Sequence, residues 1–196
     1  MKTTNTEKYL NKFGKYIVQQ SKSKLSKAKK NLSKELYNSI KFEIVITKKG
    51  FSVDFYMNTY GTFVDKGVSG KRNIQQFRDF EGVTKNTPYK YTNKMPPIAN
   101  LEKWVKARGI RGRKALKKYR KEKDKNKKIK GAGQFIKDKS LAFLIARSIF
   151  FNGIQGIGFF QRPLELGMQR FGPDILTAVR EDFIDMIDNQ FKVSIN

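Results

Sequence analysis

A chain of 196 residues with 38% hydrophobic residues, 16 Phe and 8 Tyr has the material for one core, and 42 Lys and Arg against 17 Asp and Glu leave a formal net charge of +25. Such an excess favours anionic partners, whether nucleic acid, a membrane surface or an acidic protein, and its self-repulsion places part of the charge on extended segments or against a partner. With no Cys and no His, disulfides, thiolate nucleophiles, Cys-based zinc sites, Ser-His-Asp triads and imidazole bases are all excluded.

Residues 5–38 are rich in Lys and Ser, with Leu10, Phe13, Ile17, Leu25, Ala28, Leu32 and Leu36 mostly three or four apart. That spacing predicts a long helix with one apolar stripe and a basic remainder. The N-terminus, MKTTNTEKYL, lacks the apolar core of a signal peptide, and no apolar run approaches a membrane span, so a soluble, cytoplasmically made protein is expected.

The period then changes to two. Phe42, Ile44 and Ile46 alternate with polar neighbours, as do Phe51, Val53 and Phe55 after Lys48-Lys49-Gly50, which predicts a β-hairpin. Tyr60, Thr62 and Val64 extend the alternation, predicting a third strand that runs into a glycine loop. The glycines at 61, 67 and 70 fit neither G-x-x-x-x-G-K-[ST] nor G-x-G-x-x-G. They are expected to end the strand and turn the chain through positive φ rather than cradle a phosphate.

Residues 66–94 have no period and are expected to form a long loop. Met95-Pro96-Pro97 marks the entry to a helix burying Ile98, Leu101, Trp104 and Val105, which ends near Gly109. The segment 111–137 is a basic insertion with too few apolar residues for a core, predicted to be extended or ordered by a partner. From Lys103 to Lys139 there are 17 basic residues and 3 acidic ones. Arg111, Arg113, Lys114, Lys117, Lys118, Arg120, Lys121, Lys127, Lys128 and Lys130 are the candidate contacts to DNA or to an acidic partner. Tyr119 is the lone aromatic among them, so duplex-backbone contact fits better than single-strand stacking.

Asp138 can cap a helix with a narrow stripe of Leu141, Leu144, Ile145, Ser148 and Ile149. Gly172-Pro173-Asp174 is expected to open a last helix with Leu176, Val179, Phe183 and Ile187 inward and Glu181, Asp182, Asp185 and Asp188 outward. FKVSI is expected to close the sheet as a strand. The whole predicts a single α+β domain over 1–196: a small antiparallel sheet, made of the meander and the C-terminal strand, packed by a long N-terminal helix and later helices. Asp54 and Asp65, with Lys66 beside the latter, faintly suggest a metal-dependent nuclease, but the alternation puts Asp54 on the solvent face of the sheet.

Three pieces in order resemble the tail-completion and head–tail joining (neck, connector) proteins of tailed bacteriophages. Tyr60-Gly-Thr-Phe-Val-Asp-Lys-Gly67 resembles that family's strand ending in aromatic-Val-acid-x-Gly. Phe159-Phe-Gln-Arg-Pro-Leu164 is similar to its Pro-Phe-Leu-x-Pro-Ala element before the last helix, with Gln161 in place of a small apolar residue. Met95-Pro-Pro-Ile98, Trp104, Arg108-Gly-Ile110, Ser140-Leu-Ala-Phe-Leu-Ile-Ala-Arg147 and Gly153-Ile154 resemble an insertion between the two. The specificity lies in the order, which spans most of residues 40–190.

The resemblance implies a small α+β domain assembling as a six- or twelve-fold ring. It would be a structural virion protein of the neck, assembled in the host cytoplasm. Its implied partners are the portal or adaptor ring, tail proteins and packaged double-stranded DNA, without a membrane, cofactor, metal or catalytic residue. Asp65, Lys66, Glu181, Asp182 and Asp185 are candidate intersubunit contacts, since rings use heterologous patches. A basic arm of one subunit is expected on an acidic surface of a neighbour or of the portal-side ring. The alternative from composition is a sequence-independent nucleic-acid-binding accessory protein.

Overall fold

The computed structural model describes residues 4–29, 33–47, 50–113 and 134–194, with Thr4 and 189–194 described by backbone alone. The elements are α1 (Thr4–Lys27), α2 (Glu35–Ser39), β1 (Lys41–Thr47), β2 (Gly50–Tyr56), α3 (Gly61–Lys66), β3 (Gly67–Val68), β4 (Gln76–Arg78), β5 (Thr84–Asn86), α4 (Ile98–Ala107), α5 (Asp138–Asn152), β6 (Ile154–Gln155) and α6 (Gln161–Ser194). The class is α+β, as the sequence predicts. The chain forms two compact units, one of Met1–Gly67, Gln75–Pro88 and Gln155–Asn196, the other of Val68–Ile74 and Tyr89–Ile154.

In the first unit the predicted stripe is buried where it falls on α1, with Leu10, Phe13, Ile17 and Leu25 at most 5% exposed, whereas Ala28, past the helix end, is exposed and Leu32 lies outside the described residues. The helix stops at Lys27, and left-handed backbone at Lys29 and Lys34 turns the chain into α2, which buries Leu36. β1 and β2 pair antiparallel from Lys41 opposite Tyr56 to Thr47 opposite Gly50. On one face Phe42 lies opposite Phe55, and the Phe55 ring also meets Phe13 at 6.1 Å and Phe160 at 5.4 Å. Gly14 makes room for this packing: a Cβ there would lie 2.3 Å from the Phe42 ring. Leu25, Leu36, Ile40 and Phe159 form the core cluster, with Val18, Met57, Val64, Ile157 and Phe160 against it.

α6 runs back along α1. Gly167 lets the two backbones approach, because a Cβ would meet Ile17 at 2.5 Å, and Phe171 packs on Phe13 and Tyr16. Pro163 sits in the first turn, where its missing N–H costs nothing. Pro173 lies inside the helix rather than opening it, and the chain continues helical through it to Ser194.

Four expectations are corrected here. The third meander strand is the helix α3: bonds from the Phe63 and Val64 N–H groups to the Tyr60 carbonyl wind it, and a short apolar run does not distinguish periods of two and 3.6. The expected C-terminal strand is helical over its described part, because residues 191–194 continue α6 and meet no strand edge among the described residues; Ile195 lies outside them. The loop 66–94 contains a second hairpin, β4–β5, with Asp79 Oδ1 accepting from the N–H groups of Glu81 (3.0 Å) and Val83 (2.9 Å) at its turn. Leu176 and Phe183 face outward, 72% and 52% exposed, while Ala178 and Asp182 face α1.

The second unit is built on α4 and α5. Val105 of α4 and Ala142 and Ala146 of α5 are fully buried. Small residues, not the expected leucines, make the close face; Leu144 is 49% exposed and Trp104 39%. The loop at 69–72 is tied to the end of α5, with the N–H groups of Lys71 and Arg72 donating to the carbonyls of Phe150 (3.0 Å) and Phe151 (2.8 Å). Gly70 permits that approach, since a Cβ would stand 2.3 Å from the Phe151 carbonyl oxygen. Of the three glycines at 61, 67 and 70, Gly67 alone has positive φ, at 78°.

Candidate functional site

The polar groups of the first unit converge on the start of α6. Asp65, on the buried face of α3 and 2% exposed, accepts hydrogen bonds from the backbone N–H groups of Phe160 (2.7 Å) and Gln161 (3.4 Å). A helix N-terminus leaves its first N–H groups unpaired, and a carboxylate from another element satisfies them and meets the positive end of the dipole. The Ile157 and Gly158 N–H groups donate to the carbonyls of Val64 and Asp65, both at 3.0 Å, so α3 and the approach to α6 are laced together. Burial pushes the Asp65 carboxyl up from its ordinary pKa, against the two N–H donors, Lys66 and Lys24. Lys24 donates to the Gly158 carbonyl at 3.2 Å, and burial and nearby Arg162 lower its pKa.

One turn on, Glu165 is 4% exposed and holds two guanidinium groups, Arg78 on Oε1 and Arg162 on Oε2, each at 2.8 Å. Burial opposes its ionisation, but the two arginines hold its carboxyl below the usual range. Gln161 Oε1 accepts from the Phe80 N–H at 3.0 Å. The residue that departs from the resemblance thus anchors the turn of the β4–β5 hairpin, a contact a small apolar side chain would not make.

Of the candidate intersubunit residues, Asp65 is committed within the chain and the Lys66 ammonium lies over the Phe77 ring at 5.2 Å. Asp182 is 7% exposed and accepts from the N–H groups of Asn5 (3.3 Å) and Thr6 (2.8 Å), so it caps α1. Its expected outward position is therefore corrected; Ala178 and Asp182, four apart, lie on the buried stripe of α6. Glu181 and Asp185 are exposed beside Leu176, Phe183 and Ile184.

Of the candidate anion contacts, Arg111 and Arg113 place their guanidinium groups 5.5 and 4.7 Å from the centre of the Phe135 ring. Lys114, Lys117, Lys118, Arg120, Lys121, Lys127, Lys128 and Lys130 lie outside the described residues. Sequence reasoning missed a second cluster, in which Lys71 lies over Phe150 at 5.2 Å and Arg72 and Arg147 over Phe151 at 4.5 and 6.0 Å. The i, i+4 spacing of Arg147 and Phe151 was the available signal.

Asp54 pairs opposite Glu43 on the β-hairpin, while Asp65 is enclosed at α6. Among the described residues no three Asp or Glu side chains gather to hold a metal ion, and no helix is long and apolar enough to cross a membrane. Compared with known protein families, curated proteins and solved structures, the chain has no match.

Proposed function

We propose that this chain is a non-enzymatic structural protein of a tailed-bacteriophage head–tail connector. In this reading it forms a six- or twelve-fold ring in the neck that joins portal to tail and extends the DNA channel. The observation that carries the reading is the outward face of α6. Leu176 is 72% exposed, Phe183 52% and Ile184 46%, with exposed Arg180 among them and Asp174, Glu181, Asp185 and Asp188 exposed on the same helix, in a chain of net charge +25. An apolar stripe on a helix where the minority charge predominates suits a cationic apolar surface on a second copy, the heterologous contact that closes a ring. The end of the first hairpin offers the apolar part, with Ile46 and Phe51 paired across the strands and about 40% exposed; Lys48 and Lys49 follow Thr47 in the sequence and lie outside the described residues.

The choice of family draws support from Asp65. Its bonds to Phe160 and Gln161 bring two of the three resembling elements, about 95 residues apart in the chain, into one contact. Electron microscopy of intact particles carrying a tagged copy of the chain tests the reading. A ring at the portal vertex is expected; particles that lack the chain, together with a protein that stays monomeric at high concentration, would overturn it. Accumulation of charge in one unit favours the second reading, a sequence-independent nucleic-acid-binding accessory protein, which forms no ring without DNA.

A further inference from the structure

The charge is divided unequally between the two units. The unit of Val68–Ile74 and Tyr89–Ile154 contains 22 basic and 4 acidic residues, a net +18, whereas the remainder contains 20 and 13, a net +7. Ten of the 22 basic residues fall at 114–133, outside the described residues.

Lys71, Arg72 and Arg147 are exposed and lie over the Phe150 and Phe151 rings at the C-terminal end of α5. Arg111 and Arg113 are exposed and lie over Phe135, just before the N-terminal end of α5. None of the five makes an ion pair with a carboxylate among the described residues. A structural cation of a folded domain is ordinarily neutralised or free to move in water. Here four guanidinium groups rest on aromatic faces, which removes rotamer freedom while leaving their N–H edges open. The 71–72 backbone is pinned to α5 by two hydrogen bonds, so these positions are fixed before any ligand arrives.

We propose that this unit binds the phosphate backbone of duplex DNA through Lys71, Arg72 and Arg147 at one end of α5 and Arg111 and Arg113 at the other. Planar guanidinium forks match phosphate oxygens bidentately. The 15 residues of α5 separate the clusters by about 20 Å, which calls for a long anion of constant charge rather than a single phosphate. A duplex supplies phosphates every ~3.4 Å along each strand over any such distance. The inference deepens the DNA-channel part of the connector reading and rests on it for the choice of DNA among polyanions.

The test is fluorescence anisotropy with a labelled 20-base-pair duplex and the full chain, at several salt concentrations. Wild type is expected to bind with a steep salt dependence. Lys71→Gln/Arg72→Gln/Arg147→Gln should weaken binding by about tenfold and flatten the slope of log K against log salt by about two to three. Lys8→Gln/Lys12→Gln/Lys15→Gln removes the same charge from exposed positions of α1 and should stay within about twofold of wild type. Arg72→Lys/Arg147→Lys keeps charge and fold but loses the planar fork, and is expected to lie between. Equal losses in the two Gln triples, or none in the first, overturn the proposal. So does a wild type that ignores DNA but binds polyglutamate, which would make the partner an acidic protein. These results are independent of ring formation at the portal, so failure here and failure of the connector reading are distinguishable.

Discussion

The carboxylate of Asp182 caps α1, accepting the N–H of Thr6 in its first turn at 2.8 Å across 176 residues of sequence. It also takes the Asn5 N–H, at 3.3 Å. Burial opposes ionisation of Asp182, but these donors win and hold its pKa below the ordinary aspartate range. Asp182→Ala should destabilise the chain by about 1–2 kcal/mol, the usual cost of a lost N-cap, read from chemical denaturation. A carboxyl with a depressed folded pKa stabilises above its unfolded value and loses that contribution as pH falls through the folded one. The gap between wild type and Asp182→Ala should therefore narrow below about pH 4. A gap unchanged at pH 3 would show that the charge of Asp182 is irrelevant.

Asp65 behaves in the opposite sense. Its pKa is raised, so its contribution is complete below the unfolded value of about 3.9 and declines as pH rises through the folded value. Asp65→Asn keeps an acceptor for the Phe160 N–H and escapes the cost of a buried charge, so at pH 7 it should cost less than Asp65→Ala. The alanine variant should lose about 1–2 kcal/mol as the start of α6 goes uncapped. Thermal melts at pH 5 and pH 7 compare the two; an Asn variant as unstable as Ala at both would refute the account.

The outward stripe of α6 predicts separation of folding from assembly. Leu176→Asp/Phe183→Asp should leave the melting temperature of the isolated chain nearly unchanged, within about 0.5 kcal/mol of stability, because neither side chain is in the core. Ring formation should be abolished in light scattering of the concentrated protein. Loss of stability with assembly retained would contradict the assignment.

Two glycines should respond differently to alanine. Gly172 lies inside α6 with open space beyond its chain neighbours, but the Pro173 ring that follows crowds a Cβ in helical backbone, so Gly172→Ala should gain less in chemical denaturation than the usual ~0.5–1 kcal/mol. Gly70→Ala drives a methyl group into the Phe151 carbonyl and should loosen the 69–72 loop from α5. Hydrogen exchange at the Lys71 and Arg72 amides would report it, and protection equal to wild type would count against the close contact.

Periodicity carried the sequence reading where elements are long and one-sided. The α1 stripe of Leu10, Phe13, Ile17 and Leu25 and the β1–β2 alternation are both recoverable from spacing alone. At α3 it failed because six residues hold less than two turns, too few to show a helical period. On α6 two stripes compete: Leu176, Val179 and Phe183 are the more apolar, yet Ala178 and Asp182 are the buried ones. Hydrophobicity picks the wrong face because a capping carboxylate resembles a surface acid until the helix it caps is in view. The same holds for the cation clusters, since Phe151 and Arg72 are distant in sequence and only the loop geometry joins them.

The long reach of the Asp182 cap also bears on synthesis. While the ribosome is still extending the chain, α1 and the first hairpin can form, but the carboxylate that completes the start of α1 has yet to be translated. Until it emerges, the apolar stripe of α1 has no α6 to cover it and its first turn is free to fray. A nascent chain stalled before position 182 should therefore be a client for chaperones, and release past that point should be marked by sudden resistance to protease near Thr6.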